Sequence, residues 1–294
     1  MFRSGFACFV GRPNVGKSTL TNALVGQKVA ITSNRPQTTR RAVRGVVHRE
    51  DGQIVLVDTP GLHRPRTLLG QRLNDLVRTT LAEVDVVVFC LPANEKIGPG
   101  DRFLAKELGE LKTPVIAAVT KTDTVDKAQL AAHLLAVGEL GSWAEVVPVS
   151  ALTSDQTTLL ADLILARFPE GPPPYPDGHL TDEADEILVA ELVREAALEG
   201  LTDELPHSLA VLVEEMVLRE GRDDFLEVRV TLYVERDSQK GILIGKGGAR
   251  MKDVGVKARR QIEPLLGMRI NLELRVTVAK DWQRDPKQLR KLGF

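Results

Sequence analysis

One stretch near the N-terminus constrains the fold more than any other. Residues 11–18 read G-R-P-N-V-G-K-S and match the pattern G-x-x-x-x-G-K-[ST]. An apolar run at 6–10 precedes them and a helix-like run at 19–24 follows, the context in which this pattern cradles phosphate. A chance match in a surface turn is the competing interpretation, and the flanking runs argue against it. We predict a nucleoside-triphosphate site formed by Gly11, Arg12, Pro13, Asn14, Val15, Gly16, Lys17, Ser18 and Thr19.

A second motif supplies a carboxylate for a metal ion. An apolar run ends in Asp58, and Thr59, Pro60 and Gly61 follow it. Because Mg²⁺ keeps most of its waters and takes few carboxylates, we expect Asp58 and Ser18 to hold it beside the phosphates. Gly61 has no side chain, so its backbone N–H can approach a γ-phosphate.

A polar segment at 35–40 lies between these motifs and is expected to be a mobile loop. One of its threonine hydroxyls would bind Mg²⁺ only while a γ-phosphate is present, which would make the loop an order–disorder switch. Thr39 is favoured over Thr38. The predicted metal ligands are Ser18, Thr39 and Asp58, and the predicted catalytic residues are Lys17, Thr39 and Gly61.

Guanine recognition is predicted where another apolar run ends in Thr120, Lys121 and Asp123. A carboxylate there can accept hydrogen bonds from N1–H and from the exocyclic amino group of guanine, a donor pair that adenine lacks. Backbone N–H groups at Ser150 and Ala151 are expected near guanine O6. The predicted nucleotide site therefore also includes Asp58, Thr59, Pro60, Gly61, Leu62, Thr120, Lys121, Asp123, Ser150 and Ala151.

Alternating apolar and amphipathic runs over residues 1–168 predict an α/β domain, a mostly parallel sheet flanked by helices. We predict strands at 6–10, 42–48, 53–58, 84–91, 114–119 and 145–149 and helices at 17–25, 69–82, 100–110, 126–139 and 156–168. The second and third strands are close enough for an antiparallel hairpin. Prolines at 169–181 predict an extended linker, and a smaller α+β domain is predicted at 182–294, with its core at about 206–280.

Composition narrows the class of protein. Charged residues make up 27% of the 294 residues and apolar residues 43%, as in soluble globular proteins. No apolar run is long enough to cross a membrane, and the N-terminus lacks the features of a signal peptide. Cys8 and Cys90 lie in apolar runs and are expected to be buried thiols. These features predict a cytoplasmic protein.

Charge is divided unevenly along the C-terminal part of the chain. Residues 181–239 hold 5 Lys or Arg against 17 Asp or Glu, whereas residues 240–294 hold 14 against 5. A basic segment is the electrostatic signature of a nucleic-acid surface, although a solvated basic face is the commoner cause.

A glycine-rich turn, Gly245-Lys246-Gly247-Gly248, lies inside the basic segment. A G-x-x-G turn before a helix lets a nucleic-acid backbone approach closely beside a groove for about four single-stranded nucleotides. Taken alone, it could equally be another phosphate turn or a plain loop. The predicted RNA contacts are Lys240, Ile244, Gly245, Lys246, Gly247, Gly248, Arg250, Lys252 and Lys257.

The nucleotide motifs resemble those of the translation-factor-like GTPases, and more closely those of the Era family, in G-R-P-N-V-G-K-S-T, Q-T-T-R, D-T-P-G-L and S-A-L. The C-terminal half of this chain resembles the type II KH domain found in the C-terminal half of Era-family proteins. The resemblance rests on the glycine turn with the strand after it, on V-A-K-D-W and on L-R-K-L-G. The chain departs at Thr120, where the N-K-x-D motif of the family has Asn. Leu62 stands where many GTPases have a water-orienting Gln, so unassisted hydrolysis is expected to be slow.

The resemblance implies a protein that binds GTP and GDP with Mg²⁺ and hydrolyses GTP. It also implies K⁺ beside Asn14, binding to the 3′ region of 16S ribosomal RNA, a role in 30S subunit assembly, a monomeric state and peripheral association with the inner face of the membrane. Two alternatives stay open. One is an RNA-binding protein whose nucleotide site is structural, and the other is an ATP-using P-loop protein, which Thr120 suggests.

Overall fold

The apolar run before the phosphate loop becomes a central strand of a six-stranded sheet. The strands are β1 (Arg3–Val10), β2 (Val43–Arg49), β3 (Gly52–Asp58), β4 (Val86–Pro92), β5 (Val115–Thr120) and β6 (Glu145–Pro148). Their order is β2-β3-β1-β4-β5-β6. β2 is antiparallel to β3 and the other pairs are parallel. The predicted α/β fold class and the predicted hairpin are therefore confirmed.

The computed structural model describes residues 1–33, 38–62, 65–201 and 205–294, and it divides the chain into two units. Unit 1 consists of residues 1–65 and 70–182, and unit 2 consists of residues 66–69 and 183–294. The domain bounds at 168 and 182 remain predictions from the sequence.

Helices cover both faces of the sheet. They are α1 (Lys17–Val25), α2 (Leu68–Glu83), α3 (Pro99–Gly109), α4 (Lys127–Leu140) and α5 (Thr157–Leu165). Because both faces are covered, every residue of β3, β4 and β5 is buried. The last helix stops three residues before its predicted end, since the residue before Pro169 disfavours helical backbone.

The two cysteines are buried, unbonded thiols within this core, as predicted. Burial raises the pKa of Cys90 to about 12 and raises the pKa of Cys8 far above its ordinary value. Neither thiol is therefore a nucleophile at neutral pH.

Residues 169–182 include the predicted linker and are hydrogen bonded along one side of unit 1. The backbone N–H of Val46, on the edge strand, donates to the carbonyl of Leu180 at 2.9 Å. The side-chain amide of Gln53 bonds both the N–H and the carbonyl of Tyr175, each at 2.9 Å. The segment therefore covers the edge of β2, which would otherwise expose unpaired backbone groups.

Unit 2 packs a small mixed sheet against helices, which is the smaller α+β domain that the sequence predicts. Its strands are β7 (Ala210–Arg219), β8 (Arg222–Val234) and β9 (Arg269–Val278), and its helices are α6 (Asp185–Leu198), α7 (Leu205–Ser208), α8 (Asp237–Ile244), α9 (Ala249–Leu266) and α10 (Pro286–Lys291). β8 is antiparallel to β7 and parallel to β9. Val254, Ala258 and Ile262 repeat every four residues and form the buried face of α9.

The short helices α7, α8 and α10 of unit 2 were not predicted. The side chain of Gln239 reaches back to accept the backbone N–H groups of Glu235 (2.9 Å) and Arg236 (3.1 Å), which fixes the start of α8. Near α10, Trp282 is fully buried and donates its indole N–H to the carbonyl of Ser208 at 2.9 Å. Such short helices depend on these specific contacts more than on sequence periodicity.

Candidate functional site

The phosphate loop turns tightly between β1 and α1. Asn14 and Gly16 both have left-handed backbone, with φ of 65° and 101°. A Cβ atom at Gly11 would lie 2.7 Å from the carbonyl oxygen of Cys90 and 2.8 Å from the side chain of Val15. The loop can therefore pack against β4 only because position 11 is glycine.

Lys17 lies at the centre of this loop. Its ammonium group donates to the carbonyl oxygens of Gly11 at 3.3 Å and Arg12 at 3.0 Å. Burial lowers the pKa of Lys17 and raises the pKa of Asp58, because each charge is removed from water. A buried cation and a buried carboxylate side by side form a site that favours ligands of both charge signs, such as a phosphate with its metal ion.

Three oxygen atoms predicted to bind Mg²⁺ meet beside the loop. Ser18 Oγ donates to Asp58 Oδ2 at 2.6 Å and lies 2.9 Å from Thr39 Oγ1, which donates to the same carboxylate oxygen at 3.2 Å. Asp58 Oδ1 is buried and accepts no hydrogen bond from the described part of the chain. Hard oxygen ligands with one open carboxylate oxygen fit a Mg²⁺ ion that retains water.

Thr39, the threonine favoured by the sequence, contacts this oxygen cluster, and both Thr38 and Thr39 are buried. Residues 35–37 of the predicted switch loop lie outside the described residues.

Two contacts hold the phosphate loop to neighbouring motifs. A Cβ atom at Gly61 would lie 2.7 Å from the backbone nitrogen of Pro13, so Gly61 lies directly against the loop. The buried hydroxyl of Thr120 donates to the carbonyl of Val15 at 2.6 Å. Thr120 therefore ties the predicted guanine motif to the phosphate loop, a role that its short side chain did not suggest.

The residues around Gly61 belong to the core. Thr59 is buried and donates its hydroxyl to the carbonyl of Phe9 at 2.7 Å, and Pro60 is buried beside it. Leu62 packs against the apolar cluster on one side of the sheet. Its side chain has no polar atom, so it cannot orient a water molecule by hydrogen bonding.

The predicted guanine site forms where β5 and β6 end. Lys121 has left-handed backbone, with φ of 57°, and starts the short turn that presents Asp123. Asp123 is exposed, and its Oδ1 accepts the hydroxyl of the fully buried Ser150 at 2.5 Å. Ala151 follows at half burial. The structure thus brings these four predicted residues together at the carboxyl edge of the sheet.

The G-x-x-G turn joins α8 to α9. Gly245, Gly247 and Gly248 all have positive φ, at 74°, 58° and 79°. A Cβ atom at Gly245 would lie 2.8 Å from Cβ of Arg250, whereas one at Gly247 or Gly248 would meet nothing within 4 Å. The turn is therefore close-packed on its inner side and open on its outer side, where Lys246 is exposed.

Comparison with known proteins places both halves of the chain. A family model described as a 50S ribosome-binding GTPase matches residues 6–121, and a KH domain model matches residues 204–283. The GTPase Era of Streptomyces coelicolor is 67% identical over 301 residues, which cover 99% of this chain and 95% of the relative. That of Mycolicibacterium smegmatis is 66% identical over 296 residues, which cover 100% of this chain and 99% of the relative. This chain belongs to the Era family of GTPases.

Two solved Era structures match the chain over nearly its whole length. Era in complex with MgGDPNP and nucleotides 1506–1542 of 16S ribosomal RNA has a TM-score of 0.94 and 36% identity, covering 100% of this chain and 99% of that one. A variant of Aquifex aeolicus Era bound to GDP.AlF4⁻ has a TM-score of 0.95 and 35% identity, covering 99% of each chain. The predicted family, fold class and GTPase activity are confirmed.

Two predicted RNA contacts are already bound within unit 2. The guanidinium of Arg250 donates to the carbonyls of Ala197 (3.2 Å) and Glu199 (2.7 Å) at the C-terminal end of α6. Lys257 lies 3.0 Å from both Glu199 and Asp253. Both cations therefore have partners within unit 2, and their contact with RNA stays a prediction.

The other predicted RNA contacts surround the open side of the turn. Lys252 is exposed, and Lys240 and Ile244 are half-buried. Ile242, which the sequence analysis left out of the RNA contacts, is 56% exposed two residues before Ile244. An exposed isoleucine next to a glycine turn offers an apolar surface to an unstacked base, and its position before the turn is the signal that could have identified it.

Proposed function

We propose that this Era-family GTPase is a switch that binds the 3′ region of 16S ribosomal RNA and acts in assembly of the 30S subunit. One observation carries the proposal. A chain with the oxygen cluster of Ser18, Thr39 and Asp58 and an open G-x-x-G turn matches, over its whole length, an Era that was solved with both MgGDPNP and 16S RNA.

The phosphate side of the site is assigned as follows. Lys17 neutralises the β- and γ-phosphates, and the backbone of residues 11–19 surrounds them. Ser18, Thr39 and Asp58 hold Mg²⁺, directly or through water, and the ion neutralises charge that develops on the phosphate oxygens. Gly61, which lies against Pro13, offers its backbone N–H to the γ-phosphate.

Coupling of the switch loop to hydrolysis follows from the position of Thr39. Its hydroxyl reaches the carboxylate of Asp58 and the hydroxyl of Ser18, so it shares their metal ion only while the loop is in place. Thr39 would bind the metal ion only while a γ-phosphate is present, so loss of the γ-phosphate would release the loop. Leu62 offers no hydrogen bond to water, so hydrolysis without a partner is slow.

A single-turnover measurement separates this proposal from a structural nucleotide site that does not turn over. Protein in excess of radiolabelled GTP should release inorganic phosphate in one slow exponential phase that requires Mg²⁺. Bound GTP that stays intact through many hours would contradict the proposed switch and favour a purely structural role.

Asp123→Asn is expected to change base preference from guanine to xanthine. The amide presents a donor where guanine also has donors, whereas the C2 carbonyl of xanthine can accept it. Competition of GTP and XTP against a fluorescent nucleotide measures the change. Asp126→Asn is the matched control, because asparagine can keep the N-cap bond that Asp126 makes to Gln129.

A preference for GTP that survives in the Asp123→Asn variant would assign guanine reading to another residue. Competition by ATP in the wild type tests the remaining alternative. Binding of ATP as tight as that of GTP would favour an ATP-using protein.

The RNA side favours the small subunit over the large one. The family description that mentions the 50S subunit belongs to a match over residues 6–121, which does not include the glycine turn at 245–248. The match to the RNA-bound Era spans the whole chain at 36% identity and includes the KH unit. We therefore place Lys246, Gly247, Gly248 and Lys252 against single-stranded 16S RNA.

Further expectations from the family resemblance belong to this proposal. We propose that K⁺ binds beside Asn14, whose left-handed backbone forms part of the phosphate loop. We also propose a monomer that acts in the cytoplasm, where ribosomes are assembled, and associates peripherally with the membrane. In the described ranges, no helix is both long enough and apolar enough to cross a bilayer.

A further inference from the structure

The side chain of Arg12, the second residue of the phosphate loop, binds two carboxylates of the β4–α3 region. Its Nε donates to Asp101 Oδ1 at 2.7 Å, and its NH2 group donates to Glu95 Oε2 at 3.0 Å. The Asp101 side chain is 1% exposed, whereas that of Glu95 is 43% exposed. Exposed ion pairs contribute little to stability, so the contact with the buried Asp101 is expected to hold Arg12 more firmly than the contact with Glu95.

Asp101 is held in place by its own helix. Its second oxygen, Oδ2, accepts the backbone N–H of Gly98 at 2.8 Å, which caps the start of α3. Both carboxylate oxygens therefore have a partner, one in α3 and one in the phosphate loop. An orientation fixed in this way leaves the guanidinium of Arg12 little freedom.

The helix also leaves space for the arginine side chain. A Cβ atom at Gly100 would lie 3.0 Å from Cδ and 3.5 Å from Cγ of Arg12. Glycine at position 100 thus lets Arg12 lie against the first turn of α3.

Arg12 links this contact to the cation of the phosphate site. Its backbone carbonyl accepts a hydrogen bond from the ammonium of Lys17 at 3.0 Å. The next residue, Pro13, lies against Gly61. Displacement of Arg12 would therefore move the loop segment that contacts both Lys17 and Gly61.

We propose that Arg12 and Asp101 form a clasp that fixes the first turn of the phosphate loop for binding of GTP and GDP. Asp101 is a positioning residue, because it acts through Arg12 and touches no nucleotide. This proposal rests on the proposed nucleotide site. It means that the start of α3 contributes to phosphate binding by holding Arg12.

A double-mutant cycle on nucleotide affinity tests the clasp. The variants are Arg12→Ala, Asp101→Asn and the double variant, and the readout is Kd for fluorescent GTP and GDP below the melting temperature of each protein. Asn at 101 can keep the cap on Gly98 but presents an amide donor to the guanidinium. Each single variant should weaken binding about tenfold, or ~1.4 kcal/mol. The double variant should also lose about tenfold rather than a hundredfold, because both changes break one contact.

Two further variants give the comparison its controls. Arg12→Lys keeps the charge and one donor, so it should lose less affinity than Arg12→Ala. Arg49→Ala removes a partly exposed ion pair with Asp162 elsewhere in unit 1 and should leave Kd unchanged. Wild-type binding of GTP in the same assay separates failure of the clasp from failure of the nucleotide site.

Additive losses in the double variant would show that Arg12 and Asp101 act independently and would overturn the clasp. Unchanged Kd in Asp101→Asn, with or without a lower melting temperature, would also overturn it, because Asp101 would then serve only to cap its helix.

Discussion

Replacing Lys17 with alanine is expected to abolish GTP binding in practice, with Kd raised a hundredfold or more. Lys17 is 6% exposed, and the acceptors described for its ammonium are the backbone carbonyls of Gly11 and Arg12. Among these contacts, no carboxylate has to leave the ammonium of Lys17 before a phosphate can bind to it. Loss of hydrogen bonds from a charged donor costs about 1.5–3 kcal/mol each, and a hundredfold change in Kd corresponds to ~2.7 kcal/mol.

Titration with a fluorescent GTP analogue measures this effect, and Lys106→Ala is the matched control. Lys106 is an exposed lysine of α3, so its removal should leave Kd unchanged. Removal of Lys17 also leaves the carbonyls of Gly11 and Arg12 without this donor, so a melting curve is needed to establish that the variant is folded. Near-normal affinity in a folded Lys17→Ala protein would contradict the assignment of the phosphate loop.

Gly247→Asp is expected to weaken RNA binding tenfold or more while leaving GTP affinity unchanged. A Cβ atom at this position meets no protein atom within 4 Å, so the new side chain projects from the open side of the turn. It places a negative charge where an RNA phosphate must pass, and the backbone φ of 58° is one that aspartate can adopt at some cost. A tenfold loss corresponds to ~1.4 kcal/mol.

Gly247→Asn is the matched control for charge. Asparagine has nearly the same size and tolerates left-handed backbone at least as well, so it should lose only the steric part of the effect. Gel shifts measure RNA affinity and fluorescence titration measures GTP affinity. An equal loss of RNA affinity in the two variants would show that charge has no role at this turn. Normal RNA binding by Gly247→Asp would remove the turn from the RNA site.

Most of the nucleotide site could be predicted because its chemistry is local in sequence. The pattern around Lys17 needs a strand before it and a helix after it, and both are visible as apolar runs. Asp58 and Thr120 are the last residues of two buried strands, Ser150 comes shortly after another strand, and the carboxyl ends of parallel strands meet at one edge of the sheet. The sequence therefore predicted which residues meet, without any knowledge of distances.

Contacts between distant segments could not be predicted in this way. Arg250 lies beside the glycine turn in the sequence, but the carbonyls that accept its hydrogen bonds are more than fifty residues earlier, at the end of α6. The hydrogen bond from Thr120 to Val15 and the ion pair of Arg12 with Asp101 likewise join segments about 90 or more residues apart. Composition and periodicity carry no information on such pairings.

The proline-rich segment illustrates the same limit of local patterns. Prolines at 169–176 indicate an extended backbone, because they exclude helix and central strand. Which surface the segment lies against depends on partners far away, such as Gln53 and Val46 of the sheet.

The most direct test of the central claim, a GTP site and a single-strand RNA clamp in one chain, is a binding measurement with purified wild-type protein and a GTP analogue. The probe is a labelled RNA equivalent to nucleotides 1506–1542 of 16S ribosomal RNA, used alone and after annealing to its full complement. We expect tight binding to the RNA alone, weak binding to the duplex, and loss of the difference in Gly247→Asp. Equal binding to both forms, or none to either, would contradict the account.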